Sequence, residues 1–502
     1  MTKIVLSLFG VATATLFLLC QSPAPFSTSI DGTDSLGVSD VMRLTVQAVE
    51  QASRRGVAAD IAVTDRYGNV LSVYRMAGAR DSNVNPLFGS IARARTAAYL
   101  SSNQHAFSSL TACYITRQHF PPGVVNVPGG PLYGVVWSQL GGGDIQPNGG
   151  ALSGQASSGQ PGLTGIPGGF PVYKNGLLVG GIGVAGGALD VPNTLATCSG
   201  ASVDEGIALS ALTGYAPAPA LLASNVTIDG VALLYTNATL MSQTYAFRVD
   251  TLAALGAFDA RYLTISPARV VSQGYRVAPV NGSQLTGDEV ASIIETAAAR
   301  SANTRAQIRR PASSPARMWI AVVDVAGKVL GHWRDSDATV FGMDVSVQKA
   351  RTALAFSDPL TDFGAQIRNL LQVDLIQPLA VTTRAIGYLA QDWYPPGIDG
   401  SGATGPGPFF EGANFSWQQR LAPTRAPYGN GFTIFPGGIP LYKAGVLVGA
   451  IGVSGDGVDQ DDYVAAAGAV GFEPWPQYRI DNFSYSGARL PYLKFPRSPD
   501  LP

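Results

Sequence analysis

Charge is what this chain has least of. Asp, Glu, Lys and Arg make up 13% of its 502 residues, about half the ~25% usual in soluble domains. The formal net charge is −1, with no long run of either sign. That leaves no electrostatic footprint for nucleic acid or for an anionic membrane surface. Histidine and cysteine are nearly as scarce, at three each. No Cys/His cluster has the spacing of a zinc site, and no phosphate loop, dinucleotide fingerprint or paired-carboxylate motif occurs with supporting context. Long apolar runs are absent too, apart from residues 4–19.

That single run, with Lys3 before it and a polar, Pro-containing stretch after it, marks residues 1–25 as an export signal and the mature protein as secreted, periplasmic or displayed on the cell surface. Retention as an uncleaved anchor is the alternative, because the run approaches the ~18 residues of a membrane span. Leu19-Cys20 is a poor lipoprotein box. Glycine and proline are abundant, at 59 and 34, so loops are extensive. Two cysteines remain after the signal, Cys113 and Cys198. In an oxidising compartment they are expected either to form a disulfide or to lie apart as buried thiols.

The strongest signal is internal repetition. Residues 61–71 match 320–330 at 7 of 11 positions, and 162–187 match 431–456 at 16 of 26. The tetrapeptide Ala-Arg-Thr-Ala recurs between them, at 94–97 and 350–353. Periodicity reads each copy in one order. In the first, a helix at 40–54 precedes a hairpin at 60–64 and 70–75, then a helix at 88–101. After a long loop come a hairpin at 170–173 and 177–184, turned by Asn-Gly, and a helix at 203–212. The second copy repeats this at 287–300, 318–324, 328–334, 344–356, 439–442, 446–453 and 459–468. Hairpins outnumber crossovers, so the fold class is α+β: a mainly antiparallel sheet with helices packed on one face. The expected organisation is module 1 at 38–216, a β-containing linker or extension at 217–284, module 2 at 285–475 and a tail at 476–502. Residues 225–235 echo 482–492, which gives both modules a similar end.

The ordered motifs Ala-Val-x-Asp-x-x-Gly, Lys/Arg-Ala-Arg-Thr-Ala and Pro-Gly-Gly-x-Pro with Gly-x-Ile-Gly-Val resemble the GlcG/HbpS-like family, also called the haem-degrading domain family. The resemblance implies a profilin-like module with a five-stranded antiparallel sheet and flanking helices, assembly into homo-oligomers, and haem as ligand. Non-covalent haem needs an apolar slot, an axial ligand and cations for its propionates. The histidines, His105, His119 and His332, are candidate iron ligands, yet they occupy unmatched positions in the two copies. Shared by both copies are Arg75 with Arg334, Arg93 with Lys349, Arg95 with Arg351, and Gly168-Gly169 with Gly437-Gly438. Cations beside a Gly-Gly bend suit a propionate or another small carboxylate. The competing reading is structural: the arginines pair with Asp65 and Asp324, and the glycines only permit a turn. Those two aspartates are expected to stabilise their hairpin turns rather than to perform acid/base chemistry.

Each copy carries a long insert before its Pro-Gly-Gly strand, and both inserts hold an aromatic-Pro-Pro-Gly element, at 120–123 and 394–397. The second insert adds Phe409, Phe410, Phe415 and Trp417, expected to pack against another subunit rather than over the module's own pocket. The leading expectation is an exported haem- or tetrapyrrole-binding protein serving in binding, storage or redox sensing. One alternative is a structural subunit of an extracellular assembly. The other is an enzyme acting on haem or a small carboxylate.

Overall fold

The computed structural model describes residues 35–84, 89–133, 163–187, 198–199, 202–239, 248–263, 273–410 and 432–502. The export-signal reading at 1–25 lies outside these residues, as do Phe415 and Trp417. No helix among the described residues is long and apolar enough to cross a membrane.

Module 1 runs α1 (Val38–Arg54), β1 (Asp60–Asp65), β2 (Val70–Met76), α2 (Ser90–Tyr99), α3 (Ser109–Ile115), β3 (Gly169–Lys174), β4 (Leu177–Ala185) and α4 (Val203–Ser210). A small hairpin, β5 (Thr227–Ile228) with β6 (Val231–Ala232), precedes α5 (Val249–Leu255) and β7 (Gly256–Phe258). Module 2 runs β8 (Gly274–Val277), α6 (Gly287–Asn303), β9 (Trp319–Asp324), β10 (Val329–Arg334), α7 (Gly342–Ser357), α8 (Asp362–Leu371), α9 (Thr383–Leu389), β11 (Gly438–Lys443), β12 (Val446–Ser454) and α10 (Val458–Gly468). The hairpin of β13 (Ser484–Tyr485) and β14 (Ala488–Arg489) repeats β5–β6, as the matching tails require.

Each module holds one five-stranded antiparallel sheet, ordered β3-β4-β1-β2-β7 in the first and β11-β12-β9-β10-β8 in the second. Both β7 and β8 come from the stretch between the repeats, which therefore supplies an outer strand to each sheet rather than serving as a spacer.

Helices cover both faces of each sheet, which corrects the one-face expectation. The cause is the absence of a polar face on the central strands. Along β9, Ile320 and Val322 pack with Ile293 and Ile294 of α6, whereas Ala321 and Val323 pack with Val347 and Leu354 of α7. Such two-sided burial is the usual signature of a sheet sandwiched between helices. The repeated Gly-x-Ile-Gly-Val motif explains how closely α2 and α7 approach. A Cβ on Gly183 would lie 2.0 Å from the Ser90 carbonyl oxygen, and one on Gly452 would lie 2.0 Å from that of Ser346.

The modules dock into a pseudo-dimer with a shared interior. Phe341 N donates to Tyr99 O at 3.2 Å across the junction, and the largest apolar cluster contains Tyr99, Leu100, Phe341 and Phe356 together. Asp337 accepts from Arg66 at 2.5 Å, from Arg309 at 2.7 Å and from the Asn103 N–H at 3.0 Å. Burial opposes the Asp337 charge, but Arg66 and Arg309 outweigh it and hold the carboxyl below its ordinary range. Phe409 packs on Phe356 within its own module, 5.4 Å between ring centroids. The reason is an aromatic cluster with Phe363 and Phe432 that offers it a buried site, so it does not await another subunit.

Candidate functional site

The two Pro-Gly-Gly bends sit on equivalent helices. Gly168 and Gly437 have φ of 118° and 110°, a region costly for any residue with a Cβ. The next glycine touches the helix: a Cβ on Gly169 would meet the Arg93 carbonyl at 2.2 Å, and one on Gly438 that of Lys349 at 2.4 Å. Beneath each bend the helix cation makes the same two contacts. Arg93 donates to Val184 O and to Asp204 at 2.7 Å, while Lys349 donates to Val453 O at 2.8 Å and to Asp461 at 2.7 Å.

The copies then diverge. In module 1 the second oxygen of Asp204 accepts from the backbone N–H of Gly186 and Gly187. In module 2 the corresponding Asp461 Oδ1 has no hydrogen-bond partner. Burial pushes the Asp461 carboxyl up to about 7 although Lys349 opposes the rise, and burial lowers Lys349. Beside this pair, Asp462 accepts from Gly437 N at 2.7 Å and from Arg384 Nε. Burial still holds Asp462 above the ordinary carboxylate value. Arg384 has no counterpart in module 1. Thr383 and Ser109 play one role, each accepting from the second bend glycine at 2.9 Å, and the residue that follows is Arg384 in one copy and Leu110 in the other.

The other residues expected at a site lie elsewhere. Arg95 and Arg351 donate to the hairpin-turn carbonyls of Gly68 and Gly327 at 2.7 and 3.0 Å. Asp65 and Asp324 accept from the backbone N–H groups of those turns. Arg75 joins a largely buried network with Asp60, Asp81 and Asp259. Arg334 is buried at the module junction, donating to Tyr67 Oη at 2.9 Å and lying over the Trp319 ring. Cys113 and Cys198 are joined as a disulfide.

Both ring nitrogens of His105 are engaged, by Ser102 Oγ at 2.8 Å and Leu100 O at 3.0 Å. His332 bonds Ser346 Oγ at 3.1 Å through Nε2 and stacks on Trp319. Burial pushes both imidazoles down to about 3, so both are neutral. His119 pairs with Asp399 at 2.8 Å, linking the two inserts.

The module 2 bend opens into a cleft of about 370 Å³ between the modules, within the range of ligand sites. Pro128–Pro131 and Ile228 of module 1 form one wall; Tyr388, Ile434 and Val458 of module 2 form the other. The floor continues into a smaller apolar cavity that contains Lys349 and Asp461. The mouth meets a groove of about 750 Å³ that carries Arg305, Arg310, Lys494 and Arg497. Sequence reasoning found Lys349 and the bend but missed Arg384, Asp461 and the basic mouth. The available signal for Arg384 was the change from Leu110 in one copy to Arg384 in the other; Asp461 gave none, because its counterpart Asp204 is also an aspartate. Among the described residues no group of three or more His, Cys, Asp or Glu could hold a metal ion.

No curated relative matches the chain. Among solved structures, a PduOC:heme complex is similar at 22% identity, over 36% of this chain and 94% of its own, with a TM-score of 0.24. Protein ORFY of Klebsiella pneumoniae is similar at 21%, over 38% of this chain and 95% of its own, TM-score 0.24. A double mutant of Streptomyces reticuli HbpS is similar at 18%, over 41% and 97%, TM-score 0.22. The family described as haem degrading protein HbpS-like matches residues 36–197 and 294–470, about two thirds of the chain in two blocks. With a repeated sheet, a repeated Pro-Gly-Gly bend and a family match to each half, this chain belongs to the HbpS-like family and contains two copies of its domain.

Proposed function

We propose that this protein is an exported binder of haem or a closely related tetrapyrrole, held in the cleft between its modules. Family membership supports the ligand class, and the single structural observation that carries the reading is the cleft itself, whose apolar walls lead to a mouth where four cations outnumber two carboxylates, Asp229 and Asp459. Apolar faces suit the macrocycle, and Arg305, Arg310, Lys494 and Arg497 suit its propionates. Tyr388 is the ligating side chain that fits best, since Tyr133, on the same cleft, donates its hydroxyl to Asp392. Bound haem would supply reversible ligand and electron exchange at iron. The chain supplies an apolar slot and charge complementarity, which suits storage or redox sensing within a homo-oligomer.

Haemin titrated into the purified protein should give a saturable, red-shifted Soret band at one equivalent per chain, and Tyr388→Phe should alter that spectrum. A Soret band that stays at the position of free haemin refutes the reading. Decay of tetrapyrrole absorbance on adding a reductant would replace binding with breakdown.

A further inference from the structure

Behind the cleft, the cavity of about 50 Å³ is walled by Leu100, Phe107, Leu132 and Ile228 of module 1 and Phe341 and Val458 of module 2. At about 10–15 Å³ per solvent-sized centre, it holds three to five non-hydrogen atoms. Its charged groups are Lys349 and Asp461, and Gln307, Thr339 and Ser454 complete its polar lining. Lys349 Nζ is buried and donates to two acceptors, Val453 O and Asp461 Oδ2, while an ammonium carries three N–H groups. Asp461 Oδ1 is buried with no partner, a state that costs about 1–3 kcal/mol unless something satisfies it. An acceptor oxygen and an ammonium therefore converge in an apolar chamber.

From this geometry we infer that the cavity is a seat for a carboxylic acid terminus of two or three carbons, whose carboxyl shares one proton with Asp461 Oδ1 and accepts a hydrogen bond from Lys349. A carboxyl group provides donor and acceptor at adjacent atoms, and its charge balances the buried ammonium. A primary amide offers the same hydrogen bonds and leaves the ammonium unbalanced. The matching aspartate of module 1 offers no such acceptor, because both oxygens of Asp204 are already bonded. The inference stands without haem: the acid is either a free small molecule or the propionate of a tetrapyrrole in the adjoining cleft.

The titration of Asp461 supports the proton count. The charged groups that act on it are Lys349, Asp462 and Asp456, the last two being paired with Arg384 and Arg309. Below about pH 7 Asp461 carries the proton and an anionic acid binds with no net proton exchange. Above it, binding must take a proton from solvent, and affinity falls about tenfold per pH unit.

Sodium propionate titrated calorimetrically into the full protein should bind saturably at pH 6 and about tenfold more weakly at pH 8. Propionamide should bind far more weakly than propionate at pH 6 and show no such dependence. Asp461→Asn, which places a fixed N–H donor toward the acid, should bind propionate equally at both pH values, and Lys349→Met should abolish binding. Absence of saturable binding at pH 6, or equal affinity of the wild type at pH 6 and pH 8, overturns the inference whatever the variants do. If propionate weakens haemin binding, the seat takes the tetrapyrrole's own propionate; if the two bind together, it takes a free acid. Propionate binding without any Soret shift would leave the seat standing and remove the haem reading alone.

Discussion

Replacing Asp337 with alanine tests whether the two modules form one folding unit. Its carboxylate takes charge-assisted bonds from Arg66 and Arg309 and a third from the Asn103 N–H. Arg309, fully buried, keeps a second carboxylate, Asp456, but Arg66, only 5% exposed, loses the anion it faces. Breaking a buried pair by removing one partner costs about 3–5 kcal/mol, because a charge is left without compensation. At roughly 1 °C per kcal/mol for a single cooperative unit of this size, the melting temperature should fall by about 3–5 °C. Because the apolar interior runs through both modules, calorimetry should show one cooperative transition at the lower temperature. The exposed pair Arg300–Asp500, at 39% and 59% exposure, is the internal control: Asp500→Ala should cost less than about 1 kcal/mol. An Asp337→Ala loss as small as that of Asp500→Ala, or two separate melting transitions in the wild type, would refute the argument.

Two further outcomes follow from buried groups. His105 and His332 are both held at about 3 by burial, below the ~6.5 of an unfolded histidine. Their contribution is therefore complete above pH 6.5 and lost as pH falls from 6.5 toward 3. His332→Phe should remove up to about 1.4 kcal/mol per pH unit from the acid slope of stability in that window while keeping the stack on Trp319, measurable by urea denaturation at pH 4, 5 and 7. The Cys113–Cys198 bridge closes a loop of 85 residues, for which chain entropy gives about 4–5 kcal/mol. Cys113→Ser should lower the denaturant midpoint accordingly, and addition of reductant to the wild type should reproduce the loss.

The elements that the sequence reveals most clearly are those whose glycines have no substitute. Residues 169–174 and 177–185 recur in the second copy because a Cβ at Gly183 or Gly452 would strike the helix backbone, and the two hairpins were legible to within a residue or two. Strands β7 and β8 were not, since three or four residues at a sheet edge show no alternation to read. Helices α3 and α9 escaped for a related reason: each has seven residues, too few for a 3.6-residue period to stand out. At the site, the cation of the repeated helix and the bend were both legible as shared features, and the structure puts them side by side; the cation's partner was not legible, because Asp461 lies 112 positions away from Lys349. The cleft could not be read at all. Its walls come from a Pro-Gly-Gly-Pro loop in one insert, a tail hairpin and the opposite module, and only docking brings them together.

Fusing the copies into one chain has a consequence for inheritance. In an assembly of identical subunits every substitution appears at each equivalent position, so a site can be opened or sealed only everywhere at once. Here Leu110 and Arg384, or the satisfied Asp204 and the unsatisfied Asp461, are free to drift apart while the scaffold around them stays the same. One half can be spent on rigidity and the other kept for a ligand, a division of labour that a symmetric pair has no means to encode.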